Sequence, residues 1–278
     1  MSGAGIYLIY LLAGTVAGLV SGLFGLGGGL TIVPALAVAL PLQGVAPGHV
    51  MHLAIGTSLA VMFCTALYTT FLRSRCGDLD WALLRRLILP VMLGTVLGAF
   101  GGGMLPGTAL RIFFLCFVGY MIIRALRRRL VESRTARTGG AIGEASPVLP
   151  SRVSRLAAGV TTGLTGALLG AGAAIVAVPY LQSAGYRIQQ ASAIAAALSA
   201  VIGIGAGTGY LLGGLGAGEL PAGSIGFLYL PAFAGMAVGA LLGSPLGVRI
   251  SHRLSESIQF WLFLAYLVIV LVSMSLSG

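Results

Sequence analysis

Apolar residues run along this chain in eight long stretches, at about 5–40, 49–72, 82–104, 108–126, 153–184, 188–214, 222–246 and 256–276, with the polar positions gathered between them. A helix needs about 20 apolar residues to cross a bilayer. The pattern therefore predicts an all-α integral membrane protein of about eight transmembrane helices, with no room for a large soluble domain. The first stretch is too long for one crossing. As a straight helix it would reach about 54 Å, against a hydrocarbon core of about 30 Å. It must break, fold back or emerge. Stretches one and five each hold a glycine cluster followed by a proline, Gly25 to Pro34 and Gly170 to Pro179. The first charged side chain is Arg73, so Met1-Ser2-Gly3 lacks the basic start of a secretory signal, and the first stretch reads as a retained helix.

Composition agrees. Hydrophobic types make up 58% of the chain and charged types 8%, and 44 residues are glycine. Soluble domains carry about 25% charged residues. An ordinary cytosolic enzyme, a disordered chain and a secreted disulfide scaffold are excluded. The formal charge is +10, and every basic residue is arginine. Most arginines fall between apolar stretches, so the positive-inside rule explains them better than nucleic-acid binding does. With simple alternation of spans, Arg73, Arg75, Arg85, Arg86 and the arginines from 124 to 155 share one side. Arg111, Arg187, Arg249 and Arg253 fall on the other. That division predicts a protein of the cytoplasmic membrane with both termini in the cytoplasm. The Arg124–Arg129 cluster also suits contact with acidic membrane lipid. Cys64, Cys76 and Cys116 have no metal-ligand spacing and no even number for a disulfide framework.

The chain repeats itself. At an offset of 145, Gly18, Leu19, Leu23, Gly25, Gly27, Val33, Pro34 and Leu36 match Gly163, Leu164, Leu168, Gly170, Gly172, Val178, Pro179 and Leu181. At an offset of 141, Gly77-Asp78-Leu79 matches Gly218-Glu219-Leu220. At that offset Pro90, Gly94, Gly98 and Gly102 also match Pro231, Gly235, Gly239 and Gly243. The expected organisation is a transmembrane repeat over 5–126, an arginine-rich cytoplasmic linker over 127–152 and a second repeat over 153–276. Each repeat has four spans, and its first helix is broken at the glycine stretch. Duplicated membrane bundles of this kind are typical of secondary transporters, with substrate held at the repeat interface beside broken helices. Whether the repeats are parallel or inverted depends on how stretches one and five bend.

The candidate chemistry follows from the breaks. Glycines permit unwound backbone at membrane depth, and a helix restarting after the break offers free N–H groups and a positive dipole end to an anion. This makes Gly25, Gly27, Gly28, Gly29 and Thr31 substrate-binding candidates, with Gly170, Gly172 and Ala173 in the second half. The alternative is that these glycines serve close helix packing. Thr57 and Ser58 are further candidates as hydroxyl donors to an oxyanion, although such hydroxyls also bond their own helix carbonyls. Their rough counterpart is Ala195-Ala196-Ala197, with Ser199 nearby. His49 and His52 stand i, i+3 without carboxylate or thiol company, which leaves no expected metal site and no cofactor. All six carboxylates map to loops or helix ends, so no carboxylate relay crosses the membrane. The rows Gly94/Gly98/Gly102 and Gly235/Gly239/Gly243 read as small-residue packing faces.

Two glycine-rich stretches each closed by a proline, the Thr57-Ser58 pair, the Gly-acid-Leu step and the Pro-x-x-x-Gly-x-x-x-Gly helix together resemble the TauE/SafE sulfite exporter family of membrane transporters. The likeness covers about 8–275. The second half departs at Ala173-Ala174, where the first has Gly28-Gly29, and lacks the Thr-Ser pair. The resemblance implies a small sulfur-containing anion, sulfite or an organosulfonate, as substrate, with export the expected direction. A proton or sodium ion as coupling ion, and a homodimer, are left open. A transporter of another solute or of a metal ion is the second reading. An intramembrane protease around Ser21 lacks a base for the serine, so no catalytic residue is expected.

Overall fold

The computed structural model describes residues 3–25, 27–137, 151–218 and 220–276. Ten α-helices account for nearly all of it: α1 (Gly3–Phe24), α2 (Gly29–Ala39), α3 (Pro47–Arg75), α4 (Trp81–Met104), α5 (Gly107–Arg137), α6 (Arg152–Leu169), α7 (Ala174–Ser183), α8 (Ile188–Gly213), α9 (Leu230–Arg253) and α10 (Glu256–Leu276). One short antiparallel hairpin, β1 (Ser224–Ile225) and β2 (Leu228–Tyr229), joins α8 to α9. Among the described residues, seven helices are long and apolar enough to cross a membrane: α1, α3, α4, α5, α8, α9 and α10. The chain is an all-α integral membrane protein. The remaining long helix, α6, has 18 residues and carries Arg152 and Arg155 in its first turns. Large apolar side chains on the outer faces of α1, α4 and α10, such as Leu12, Leu93, Phe100 and Ile269, stand exposed, as a lipid-facing surface requires.

Both glycine stretches break the helix there. α1 ends at Phe24 and α2 restarts at Gly29, while α6 ends at Leu169 and α7 restarts at Ala174. Gly28 precedes α2 with φ 85°, and Gly170 caps α6 with φ 61°. Residues with a Cβ rarely adopt that left-handed region. α5 stays helical to Arg137, beyond the expected start of the linker at 127. The rest of that linker, 138–150, lies outside the described residues, as do Leu26 and Glu219.

Helix directions follow from the glycine contacts. Gly14 lies against Met236, Gly18 against Ala240 and Gly22 against Ser244, so α1 and α9 run parallel. Gly94 lies against Val160 and Gly98 against Leu164, so α4 and α6 run parallel too. Gly203 lies against Phe63 and Gly207 against Leu59, so α3 and α8 run antiparallel. The ends of α1 and α3 meet, because Arg73 donates to the Gly22 carbonyl at 2.6 Å and the Leu23 carbonyl at 3.2 Å. The chain must therefore cross back between α1 and α3, and α2 makes that return. Gly29 at its start touches the middle of α3, where Ser58 lies, and Gln43 just beyond its end bonds Tyr10 near the start of α1. α7 makes the corresponding return in the second half. Ala173 meets Ser199 in the middle of α8, and Tyr180 bonds Ser154 near the start of α6 at 3.1 Å.

These returns overturn the simple alternation of spans. Arg73 also donates to the Gln189 carbonyl at 3.3 Å and to Ser251 Oγ at 3.4 Å. The ends bearing Arg187, Arg249 and Arg253 thus share a face with Arg73, and the expected split between them does not hold. The hydropathy pattern could not show this, because a break inside one apolar run adds a crossing without adding a polar gap.

Candidate functional site

The two breaks meet at the centre of the bundle, and one hydroxyl joins them. Ser58 Oγ, fully buried in α3, donates at 2.9 Å to the Gly170 carbonyl and at 3.3 Å to the Gly29 carbonyl. A Cβ on Gly29 would stand 2.1 Å from the Gly170 oxygen, so only glycine lets the two backbones approach this closely. Ser199 in α8 holds the second break. Its Oγ accepts from Ala173 N–H at 2.8 Å and donates to the Ala195 carbonyl at 2.8 Å. Gly27 packs against Met62 and Ser199, and Gly25 against the Ser192 carbonyl. Gly172 is buried within the second break.

From this centre α2 and α7 run in opposite directions. Each presents the N–H groups of its first turn, and the positive end of its dipole, to the middle of the bundle. α2 has 11 residues and α7 has 10, and each carries a proline, Pro34 or Pro179, past the first turn. The prolines leave those first-turn N–H groups untouched.

Thr31 and Thr57 point elsewhere. Thr31 Oγ1 bonds Tyr266 Oη of α10 at 2.9 Å. Thr57 Oγ1 accepts from Tyr229 N–H of β2 at 2.9 Å, tying the hairpin down on α3. Phe227 in the hairpin turn lies against the His52 ring, with centroids 4.9 Å apart. His52 sets its Nδ1 against the Gly48 carbonyl at 3.3 Å and its Nε2 against the Leu105 carbonyl at 3.1 Å. The Tyr229 hydroxyl donates to Gln43 Oε1 at 3.0 Å, and burial raises its pKa above the ordinary phenol value. The hairpin and its partners thus close the face opposite Arg73. Among the described residues, no group of three His, Cys, Asp or Glu is arranged to hold a metal ion.

A cavity of about 420 Å³ opens at the Arg73 face. Its mouth holds Arg124, Gln182, Ser183 and Glu256, its sides include Phe24, Val178, Pro179 and Phe263, and its inner wall includes Ala174, Ile175 and Ser192. It runs along α7 from the surface to that helix's first turn. Beside it, the buried Arg73 binds the end of α1, the start of α8 and α9 together. Asp78 stands 3.8 Å from that guanidinium and 3.1 Å from His252 Nε2. Charge counting along the sequence treated Arg73 only as a topology signal.

The sulfite exporter TauE/SafE family model matches residues 10–274, almost the whole chain. The chain belongs to the TauE/SafE family. A protein of Haemophilus influenzae named "Probable membrane transporter protein" is 29% identical over 269 residues, 97% of this chain and 98% of its own length. Another so named, from Methanocaldococcus jannaschii, is 25% identical over 251 residues, 89% of this chain and 87% of its own length. No solved structure matches the chain. As a TauE/SafE member it is a membrane transporter. The cavity leads from a charged rim to the first turn of α7, beside the second helix break.

Proposed function

We propose that this TauE/SafE transporter moves small sulfur-containing anions, sulfite or an organosulfonate, out of the cytoplasm. The anion would be held at the first turns of α7 and α2, with Gly25, Gly27, Gly28, Gly29, Gly170, Gly172 and Ala173 shaping the break and Ser58 and Ser199 fixing it. The observation that carries this reading is the cavity running along α7 to that helix's first turn, where Ala174 follows the second break. Helix N-termini favour negative charge, and backbone N–H groups match the several acceptor oxygens of a sulfite or sulfonate.

The direction rests on where the arginines lie. The ends of α3, α5, α7 and α9 and the starts of α4, α6, α8 and α10 share the cavity's face. They hold Arg73, Arg75, Arg85, Arg86, Arg124, Arg127, Arg152, Arg155, Arg187, Arg249 and Arg253. The opposite face, among the described residues, holds Arg111. Basic loops stay in the cytoplasm. The cavity therefore opens to the cytoplasm of a cell whose inner membrane holds this protein, and both chain ends lie on the outer side. A cytoplasm-negative potential expels an anion with about 2.3 kcal/mol per charge per 100 mV. Export then needs no coupling ion.

Flux of sulfite and of a simple alkanesulfonate into proteoliposomes, with and without an imposed potential and against chloride and a neutral solute, tests the proposal. Expected is sulfur-anion flux that the potential accelerates. Absence of such flux, with proton and sodium gradients also supplied, overturns the substrate class.

A further inference from the structure

Arginine gathers where α4 and α6 begin, at the face onto which the cavity opens. The two helices run parallel in close contact, and a Cβ on Gly159 would stand 2.4 Å from Pro90 Cβ. Arg86 lies four residues before Pro90, and Arg155 four before Gly159. Helical side chains four apart stack on one face, so both guanidinium groups leave the same seam one turn nearer the surface. Arg86 is exposed and Arg155 half-buried, with Arg85 and Arg152 exposed beside them. Among the described residues, none of these four side chains has a hydrogen-bond or ion-pair partner. Asp80 at the start of α4 is engaged elsewhere, its Oδ1 accepting from the N–H groups of Ala82 and Leu83 at 2.9 and 3.0 Å. Like charges on neighbouring turns repel. Arg152 and Arg155 also stand in the first turn of α6, where the helix dipole disfavours a cation. Arginines placed in a loop satisfy the positive-inside rule without either penalty. Nor does the fold require charge in this seam. At the offsets of 145 and 141, Arg152, Arg155, Arg85 and Arg86 correspond to Tyr7, Tyr10, Gly226 and Phe227, where α1 meets the hairpin and α9. There Tyr10 is buried and bonded to Gln43.

The surface just inside the arginines is apolar. Leu89, Met92 and Val96 continue the helical row that Arg85 begins, Leu156 follows Arg152 by four residues, and all four are exposed. Trp81 stands exposed at the start of α4, where an indole suits the membrane boundary. Cations directly above lipid-facing side chains match a phospholipid, whose phosphate lies at the boundary and whose chains lie below it. We propose that Arg85, Arg86, Arg152 and Arg155 bind one phospholipid with a net negative headgroup. Its phosphate sits between Arg86 and Arg155, and its acyl chains follow Leu89 and Leu156. Guanidinium forks bond phosphate oxygens in pairs. The bound phosphate relieves the repulsion across the seam and fastens α4 to α6. None of the four arginines lines the α7 cavity, so the site stands apart from the transport path and from the sulfur-anion reading.

Thermal unfolding of the full chain in a neutral detergent, followed as lipid is added, tests this. The probe is dioleoyl phosphatidylglycerol, set against dioleoyl phosphatidylcholine and water-soluble glycerol 3-phosphate. The expected result is a midpoint that rises with phosphatidylglycerol and with neither of the others. An arginine close to an anionic headgroup contributes about fivefold to affinity. Arg86→Gln with Arg155→Gln is therefore expected to raise the mole fraction of phosphatidylglycerol giving half the rise by about twentyfold. Arg249→Gln with Arg253→Gln removes the same charge from the same face, at the end of α9, and is expected to change it by about twofold at most. No rise, or an equal rise with phosphatidylcholine, overturns the proposal, because the headgroup charge is then not recognised. An equal rise with glycerol 3-phosphate overturns it too, because the ligand is then a soluble phosphate. An equal loss in the two double variants also overturns it, because general surface charge then holds the lipid. If Arg86→Gln with Arg155→Gln fails to accumulate, Arg85→Gln with Arg152→Gln takes its place under the same expectations.

Discussion

Ser58 and Ser199 occupy equivalent places in the two halves, 141 residues apart, and each grips backbone at a helix break. Their geometry differs in sense. Ser58 donates to two break carbonyls, while Ser199 accepts from a break N–H. An anion bound at the first turn of α7 competes with Ser199 for N–H groups and gains when Ser58 draws the carbonyls away. Replacing Ser58 by alanine leaves two buried carbonyls short of a donor, and hydrogen bonds within membranes contribute about 0.6 kcal/mol each. Ser58→Ala is expected to raise the half-saturating sulfite concentration about threefold or more, read from the concentration dependence of proteoliposome flux. Ser199→Ala frees the Ala173 N–H and is expected to change it less, or in the opposite direction. An unchanged value in both would place the anion away from the breaks.

At the scale of the element, glycine does two jobs that the sequence alone could not separate. One group permits the breaks. The other lets whole helices lie against each other's backbone: a Cβ on Gly239 would stand 2.1 Å from the Leu11 carbonyl, and one on Gly94 2.0 Å from the Val160 carbonyl. Gly101 and Gly103, on the same helix as Gly94, have nothing within 4 Å of such a Cβ. Overpacking a close backbone contact costs several kcal/mol, whereas an open surface position stays within about 0.5 kcal/mol. Gly239→Leu and Gly94→Leu are therefore expected to lower the thermal midpoint in detergent by 10 °C or more, on the order of what a loss of several kcal/mol gives, or to prevent accumulation. Gly101→Leu should move it little. Equal effects at all three would refute the packing assignment. The breaks and the glycine rows were legible because each has a fixed register with its proline. Ser199 was only half legible, since the offset between halves changes from 145 at α1–α2 to 141 at α3, and a short loop difference hid the match. The roles of Thr31 and Thr57 were not legible at all. Their partners, Tyr266 and the Tyr229 N–H, lie 235 and 172 residues away in the chain.

For the whole molecule, the membrane orientation is where reading by sequence and reading by structure part. Counting apolar stretches gave each half an even number of crossings and put both ends with the basic loops. Because α2 and α7 return through the bundle, each half reverses direction once more than simple alternation supposes, and α3 and α8 run antiparallel. The arginine-bearing helix ends then gather at one face and the start of α1 and end of α10 at the other, and this division is more one-sided than the simple alternation supposed. The physical consequence is large, since it decides which compartment the α7 cavity samples. Two fusions measure it. A reporter active only outside the cytoplasm, such as alkaline phosphatase, is expected to be active when joined after Gly278. A peptide tag inserted near Gly140 is expected to react with antibody only after the membrane is permeabilised. An inactive C-terminal reporter together with a tag exposed on intact spheroplasts would reverse the orientation. The cavity would then face outward, a cytoplasm-negative potential would oppose anion entry through it, and transport by this chain would have to draw on an ion gradient.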